Sequence, residues 1–259
     1  MIRRQCSRLC ALLLLAANVG DVFAEPVDEI WLDGFEAGCG NLLYSEGFGL
    51  ADNSAWPAPW VASGNVALSD IQQMRARLRP NPTGYSLARM HAPIDNRNVE
   101  VRFSLRMEDL TTQGVGFYVR QNGGYLTQTV PNGQGYAAFV EGTFRGQPGV
   151  SVWKEQAGNE IQLQHAAAPV PPLTAGTDYR ARLQVLQLDP LTTRVRAKLW
   201  LASGSEPAAW QASVDDTTSV LQNLSGGIAV DSWSVLLNPT PITAHTFVDN
   251  VELVSLCAP

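Results

Sequence analysis

Five residues on segments with β-strand alternation have the types and positions that could bind a saccharide. They fall on the polar parity of these segments, which should project away from the core. Aromatic rings stack on the apolar faces of sugars, and guanidinium groups pair with acidic groups. We therefore expect contact with an acidic polysaccharide on one concave sheet, the alternative being arginine–aromatic packing without a ligand. The candidate ligand-binding residues are Trp153, Trp200, Tyr118, Arg120 and Arg102.

Four further tryptophans lie beside turns and apolar residues rather than within a polar stripe. Trp56 and Trp60 belong to an early W-P-A-P-W segment, and Trp210 and Trp233 lie near the ends of later strands. We predict that these four side chains fill the hydrophobic core.

Other residue types that could do chemistry are poorly placed for it. His91, His165 and His245 are far apart and lack the close spacing of a zinc site. The segment G-Y-S-L-A at 84–88 approximates a nucleophile elbow, but no parallel strand-to-helix context surrounds it. We interpret it as a turn that leads into a strand, and we predict no catalytic residue and no organic cofactor.

The N-terminus has the organisation of a signal peptide. Arg3, Arg4 and Arg8 precede a short apolar run, and Val22-Phe23-Ala24 provides small residues for cleavage. The run is too short to span a bilayer. We predict a signal peptide at 1–24, a lead-in segment at 25–40, one domain at 41–259, and export to the periplasm or the exterior without a transmembrane segment.

Two cysteines remain after the signal peptide, one near each end of the chain. Export permits a disulfide, and Cys39 with Cys257 is then the one intramolecular pairing available. Such a bridge requires the two ends of the domain to lie side by side.

Strict alternation of apolar and polar residues recurs from residue 41 onwards. In the clearest case Val99, Val101, Phe103 and Leu105 alternate with charged and hydroxyl side chains. Short segments of this kind, separated by glycine and proline turns, predict an all-β fold: a single antiparallel β-sandwich of about a dozen strands. A net charge of −6 argues against nucleic acid as a partner. The oligomeric state is left open.

Several segments together resemble a known superfamily. They are a G-F entry at 47–48, W-P-A-P-W at 56–60, Y-R-A-R-L-Q-V at 179–185, S-G-G-I-A-V at 225–230 and F-V-D-N-V-E-L at 247–253. Over residues 42–254 the chain resembles exported bacterial jelly rolls of the concanavalin A-like lectin/glucanase superfamily, laminin-G-like group. The resemblance implies neighbouring first and last strands and, in many members, carbohydrate contact. Fold alone does not assign a function.

The catalytic motifs of that superfamily are missing from the sequence. Its glucanases carry E-x-D-x-x-E on one strand, and that spacing does not occur. Its alginate lyases carry R-[ST]-E-L-R and Q-[IV]-H, where this chain has R-A-R-L-R at 75–79 and Q-L-Q-H at 162–165. We therefore expect a non-catalytic glycan-contacting or surface-associated module. The alternatives are a polysaccharide lyase or glycoside hydrolase, and a purely structural or adhesive secreted protein.

The resemblance also implies a structural calcium site where the first and last strands meet. Asp249 matches the C-terminal aspartate of sugar-binding jelly rolls, with Glu46 or Glu36 as a partner from the N-terminal side. The alternative is a solvated acid that bonds to its own turn. Asp215-Asp216 is a weaker candidate.

Overall fold

The computed structural model describes residues 40–81, 87–143, 146, 148–166, 170–234 and 243–257. Within these ranges the chain forms fifteen strands and two single-turn 3-10 helices, Leu126–Gln128 and Ser219–Leu221. The strands are β1 Leu42–Glu46, β2 Val61–Gly64, β3 Val66–Ile71, β4 Ala76–Pro80, β5 Leu87–Asn96, β6 Val99–Met107, β7 Gln113–Asn122, β8 Gln134–Glu141, β9 Gly149–Gln156, β10 Asn159–His165, β11 Tyr179–Asp189, β12 Thr192–Leu201, β13 Ala212–Asp216, β14 Gly226–Ser234 and β15 Thr246–Ser255.

The strands form two antiparallel sheets. Sheet A has the order β13-β12-β11-β6-β15-β4-β3, with β1 also paired to β15, and sheet B has the order β10-β9-β8-β7-β14-β5-β2. Neighbouring strands are often far apart in the chain, as expected for a jelly roll. The predicted all-β sandwich is confirmed.

The core lies between the sheets and follows from the period of two in the sequence. On β6 the apolar set that includes Val101 and Phe103 is buried against apolar side chains of sheet B such as Phe117. Fully burying a side chain of this size stabilises the fold by about 1.5–3 kcal/mol. Trp56 and Trp60 also belong to this core, so their predicted role is confirmed.

The opposite parity of each sheet faces away from the core. On sheet B this outer face has its own small apolar cluster, separate from the main core. The members of that cluster are Tyr118, Ala137, Phe139, Trp153 and Ala229. On sheet A the outer face carries most of the arginines of β4, β6, β11 and β12.

The two ends of the domain are neighbours. β1 pairs with β15, and the Gly40 backbone N–H donates to the Ser255 carbonyl over 3.1 Å. Cys257 follows closely, whereas Cys39 lies outside the described residues, as do the predicted signal peptide and most of the lead-in segment. The Cys39–Cys257 disulfide stays a prediction. It requires the two ends of the domain to lie side by side, as Gly40 and Ser255 do. No helix in the described part of the chain is long and apolar enough to cross a membrane.

Candidate functional site on the outer face of sheet B

The five predicted ligand-binding residues do not share one face. Tyr118 on β7 and Trp153 on β9 lie on the outer face of sheet B. Trp200 on β12 and Arg102 on β6 lie on the outer face of sheet A, on the far side of the core. Alternation gave the correct parity for these four side chains. The expectation of a single concave sheet that carries them together is wrong.

Arg120 lies on neither outer face. The β7–β8 register shifts between Val119 and Asn122, and Arg120 has a φ of 52°, so the alternation breaks at this residue. The guanidinium is buried and donates to side-chain oxygens of Gln187 and Thr193, each over 3.3 Å. Burial lowers the pKa of Arg120 to about 10. These contacts make Arg120 a structural residue at the end of the sandwich.

Several arginines on the outer face of sheet A form ion pairs. Arg102 Nε lies 3.0 Å from Glu100, and Arg182 lies 2.7 Å from Glu206. Lys198 shares Glu206 at 3.0 Å. A ligand with acidic groups would have to compete with these internal carboxylates.

Two tryptophans predicted to fill the core lie elsewhere. The Trp210 ring lies under the Arg196 guanidinium at 4.5 Å and near Lys198 Nζ at 4.7 Å, a cation–π arrangement on sheet A. Trp233 packs beside Leu87 and the turn at Tyr125 on the outer face of sheet B. The prediction was wrong for both because proximity to a turn does not distinguish the core from an outer cluster.

An ion network that the sequence did not reveal occupies the outer face of sheet B. Arg89 on β5 donates two hydrogen bonds to Asp231 on β14, both 2.7 Å long, and a third to Glu155 on β9 over 2.8 Å. All three side chains have no solvent exposure. Burial, opposed in part by Arg89, raises the pKa of both carboxyl groups. Two carboxylates therefore share one guanidinium.

A third carboxylate completes the network. The Tyr118 hydroxyl donates to Glu160 Oε1 over 2.7 Å, and the Arg89 guanidinium lies 4.5 Å from the Tyr118 ring centre. Glu160 is half-buried on β10, and it forms no ion pair with any described residue. Burial, followed by repulsion from Asp231, raises the pKa of Glu160 to about 7. Burial likewise raises the pKa of Tyr118, which therefore stays a neutral donor.

Aromatic rings continue this face next to the network. Tyr118 and Phe139 meet edge to face at 5.8 Å, and Phe139 meets Trp153 in the same way at 5.5 Å. Gly116 makes room for this row, because a Cβ there would lie 2.5 Å from the Phe139 ring. Gln162 on β10 pairs with Trp153 and is exposed.

The loop between β7 and β8 folds over one end of the face. The Tyr125 hydroxyl donates to the Leu87 carbonyl, and its ring centre lies 5.8 Å from the Arg89 guanidinium. Gly133 allows this loop to approach, because a Cβ there would collide with the Glu155 carboxylate. The loop reaches from Leu87 on β5 to the turn between β9 and β10, where the Gly158 backbone N–H donates to the Gly133 carbonyl over 2.8 Å.

Two of the predicted calcium ligands, Asp249 and Glu46, lie near each other on sheet A, whereas Glu36 lies outside the described residues. Asp249 accepts hydrogen bonds from its own neighbour Asn250, and Glu46 accepts from the Phe48 backbone. Asp249 lines a pocket of about 130 Å³ together with Arg75 and other arginines. In the described ranges no three histidine, cysteine or acidic side chains group closely enough to hold a metal. The calcium site stays a prediction, and arginine side chains would repel the ion there.

Comparison with known proteins supports the fold rather than a particular activity. No protein-family model and no curated protein match the sequence. Carbohydrate-binding module CBM66 from Bacillus subtilis matches with a TM-score of 0.50 at 12% identity, over 76% of this chain and 95% of that chain. Alginate lyase Aly36B matches with a TM-score of 0.54 at 14% identity, over 83% and 97%. A β-1,3-glucanase from Mycobacterium marinum matches with a TM-score of 0.53 at 12% identity, over 83% and 99%.

At these identities the similarity shows the fold alone. It confirms the predicted jelly-roll fold, which the solved binding module and enzymes named above share.

Proposed function

We propose that the protein is an exported module that binds a glycan through the outer face of sheet B. One observation carries the proposal: a fully buried Arg89–Asp231–Glu155 network lies on the face that is turned away from the core. Removing charged groups from water is costly, and apolar residues would stabilise such a face as well or better. Carboxyl groups with raised pKa values, such as Asp231 and Glu155, are more frequent at functional sites than elsewhere, which supports a site on this face.

The groups around the network suit a saccharide. Sugars present hydroxyl groups beside apolar C–H surface, and their sites combine aromatic rings with a few fixed polar groups. The half-buried Glu160 and the exposed Gln162 supply hydrogen-bonding groups at the β10 edge, and the buried rings of Tyr118 and Trp153 form the apolar layer behind them. The ion network holds Tyr118 in place through Arg89. The solved structures of similar fold include a carbohydrate-binding module.

Binding of an acidic polysaccharide would call for the outer face of sheet A instead. That face carries Arg102, Arg182 and Trp200. The outer face of sheet B has a single arginine among the described residues, Arg89, and its side chain is fully buried. The two faces are on opposite sides of the sandwich, so variants can separate them.

A second candidate function is cleavage of a polysaccharide, and the Tyr118–Glu160 pair favours it. A general acid works best when its pKa lies near the working pH, and burial and repulsion raise the pKa of Glu160 to about 7. Release of reducing ends or unsaturated uronates from mixed polysaccharides would reveal this activity. Its loss in Glu160→Gln, with binding retained, would assign the acid role.

Affinity electrophoresis in gels that contain neutral, amino and acidic polysaccharides tests the binding site. Tyr118→Phe removes one hydroxyl and Gln162→Ala one exposed amide, so both should weaken retardation several-fold while the fold persists. Arg102→Ala, on the other sheet, is the matched control and should bind as wild type does. Loss of binding in Arg102→Ala alone would move the site to sheet A, and no retardation by any glycan would contradict the proposal.

A further inference from the structure

The outer face of sheet B has more negative charge than its cation can neutralise. Arg89 donates from Nε and from both terminal nitrogens to Asp231 and Glu155. The guanidinium is therefore already paired with these two carboxyl groups. When both carboxyl groups are ionised, one guanidinium against two carboxylates leaves one negative charge in excess. Glu160 adds another charge to the same network when it ionises.

Among the residues that the structure describes, no other group that acts on Glu160 supplies a compensating cation. On β7, Tyr118 donates a neutral hydroxyl. On β14 and β9, Asp231 and Glu155 repel the Glu160 charge, and the attraction of the more distant Arg89 is already shared.

Glu160 is also the member of the network that a ligand can reach. Arg89, Asp231 and Glu155 have no exposed surface, whereas Glu160 is half-buried on the edge strand β10. Gln162, on the same face of that strand, is exposed. A sugar placed against this edge would therefore meet a carboxylate first and an amide next to it.

We propose that the glycan recognised at this face carries a protonated amino group, and that this ammonium pairs with Glu160. This inference rests on the proposed glycan-binding function and defines its ligand class as an amino sugar. An ammonium would supply the cation that the network lacks and donate hydrogen bonds to the carboxylate. A neutral sugar would gain a hydrogen bond without charge compensation, and a uronate would be repelled.

Titration calorimetry at pH 7, where Glu160 with a pKa of about 7 is partly ionised, tests the inference with three tetrasaccharides: a glucosamine tetramer, its N-acetylated counterpart and a galacturonate tetramer. Wild type should bind the glucosamine tetramer at least about tenfold more tightly than the N-acetylated one, since charge-assisted contacts are the stronger ones. Glu160→Gln keeps the acceptor for Tyr118 and should remove most of this preference. Asp215→Asn, which removes one carboxylate on sheet A, should retain it.

Each outcome bears on a different claim. Equal binding of the two glucosamine-based tetramers by wild type, or a preference that survives in Glu160→Gln, overturns the amino-sugar inference and leaves glycan binding standing. Tighter binding of the galacturonate tetramer also overturns it. Failure of all three tetramers and of the polysaccharide gels to bind contradicts the proposed function itself.

Discussion

The Tyr118 hydroxyl reaches across two intervening strands to bond with Glu160. Tyr118 lies on β7 and Glu160 on the edge strand β10, with β8 and β9 between them in sheet B, yet the two oxygens are 2.7 Å apart. Ala137, opposite Tyr118 on β8, leaves space for the ring to lie along the face. The contact connects the middle of the sheet to the edge where we place the ligand.

Glu160 should make the protein less stable as the pH rises. The folded state holds this proton up to about pH 7, whereas an unfolded glutamate releases it near its model value of 4.5. The folded state thus binds more protons in this window, so stability falls from pH 4.5 to pH 7 and is level above it. The loss should be about 1–2 kcal/mol, since part of the shift is screened by solvent.

Urea unfolding of wild type and Glu160→Gln at pH 5 and pH 8 measures this effect. Between pH 5 and pH 8 the free energy of unfolding should fall by about 1–2 kcal/mol less in the variant than in wild type. Equal losses in the two proteins would mean that Glu160 titrates normally.

Arg89 should be essential for stability. Arg89→Met leaves Asp231 and Glu155 buried without a counter-ion, which should lower the free energy of unfolding by about 3–5 kcal/mol. Arg194→Met removes an exposed ion pair with Asp215 and should cost less than about 1 kcal/mol. Chemical denaturation of both variants gives the comparison, and similar small losses would contradict the buried network.

Substitution of Gly116 should weaken glycan binding more than substitution of Gly114, which lies on the same face of β7. Gly116→Ala places a Cβ 2.5 Å from the Phe139 ring and must displace it, whereas at Gly114 the nearest contact is 3.3 Å. We expect Gly116→Ala to weaken glycan binding several-fold and Gly114→Ala to change it little. Calorimetric titration of both variants measures this, and the reverse order would show that the Phe139–Trp153 row plays no part.

The predicted disulfide should stabilise the domain through its long loop. If Cys39 and Cys257 are bridged, Cys257→Ser should lower the free energy of unfolding by about 5 kcal/mol on the chain-entropy model. Unfolding of wild type with and without reductant, together with the intact mass, checks it. Identical stability under both conditions and two free thiols would rule the bridge out.

Alternation in the sequence was enough for the fold but not for the site. The period of two on β6 predicted both the buried set with Val101 and Phe103 and the outward Arg102. It failed at Arg120, because a local change of register is not visible in residue types. It also could not tell which sheet a strand joins, so Tyr118 and Trp200 were assigned to one face although they lie on two.

The ion network was missed for a related reason. Arg89, Glu155, Glu160 and Asp231 come from four strands, and their meeting depends on the pairing of β14 with β5 and of β9 with β10. The carboxylates of a glucanase can be recognised by their spacing along one strand. A cluster assembled from four strands has no such spacing and cannot be recognised in this way. A charged residue at the outward position of an otherwise apolar strand, as in I-A-V-D-S-W at 228–233, was the available signal.

A glycan array probed with wild type, Tyr118→Phe and Arg102→Ala tests the central claim most directly. We predict that wild type and Arg102→Ala bind the same glycans, enriched in amino sugars, and that Tyr118→Phe binds them several-fold more weakly. An unchanged pattern in Tyr118→Phe, combined with loss in Arg102→Ala, would contradict a binding site on the outer face of sheet B.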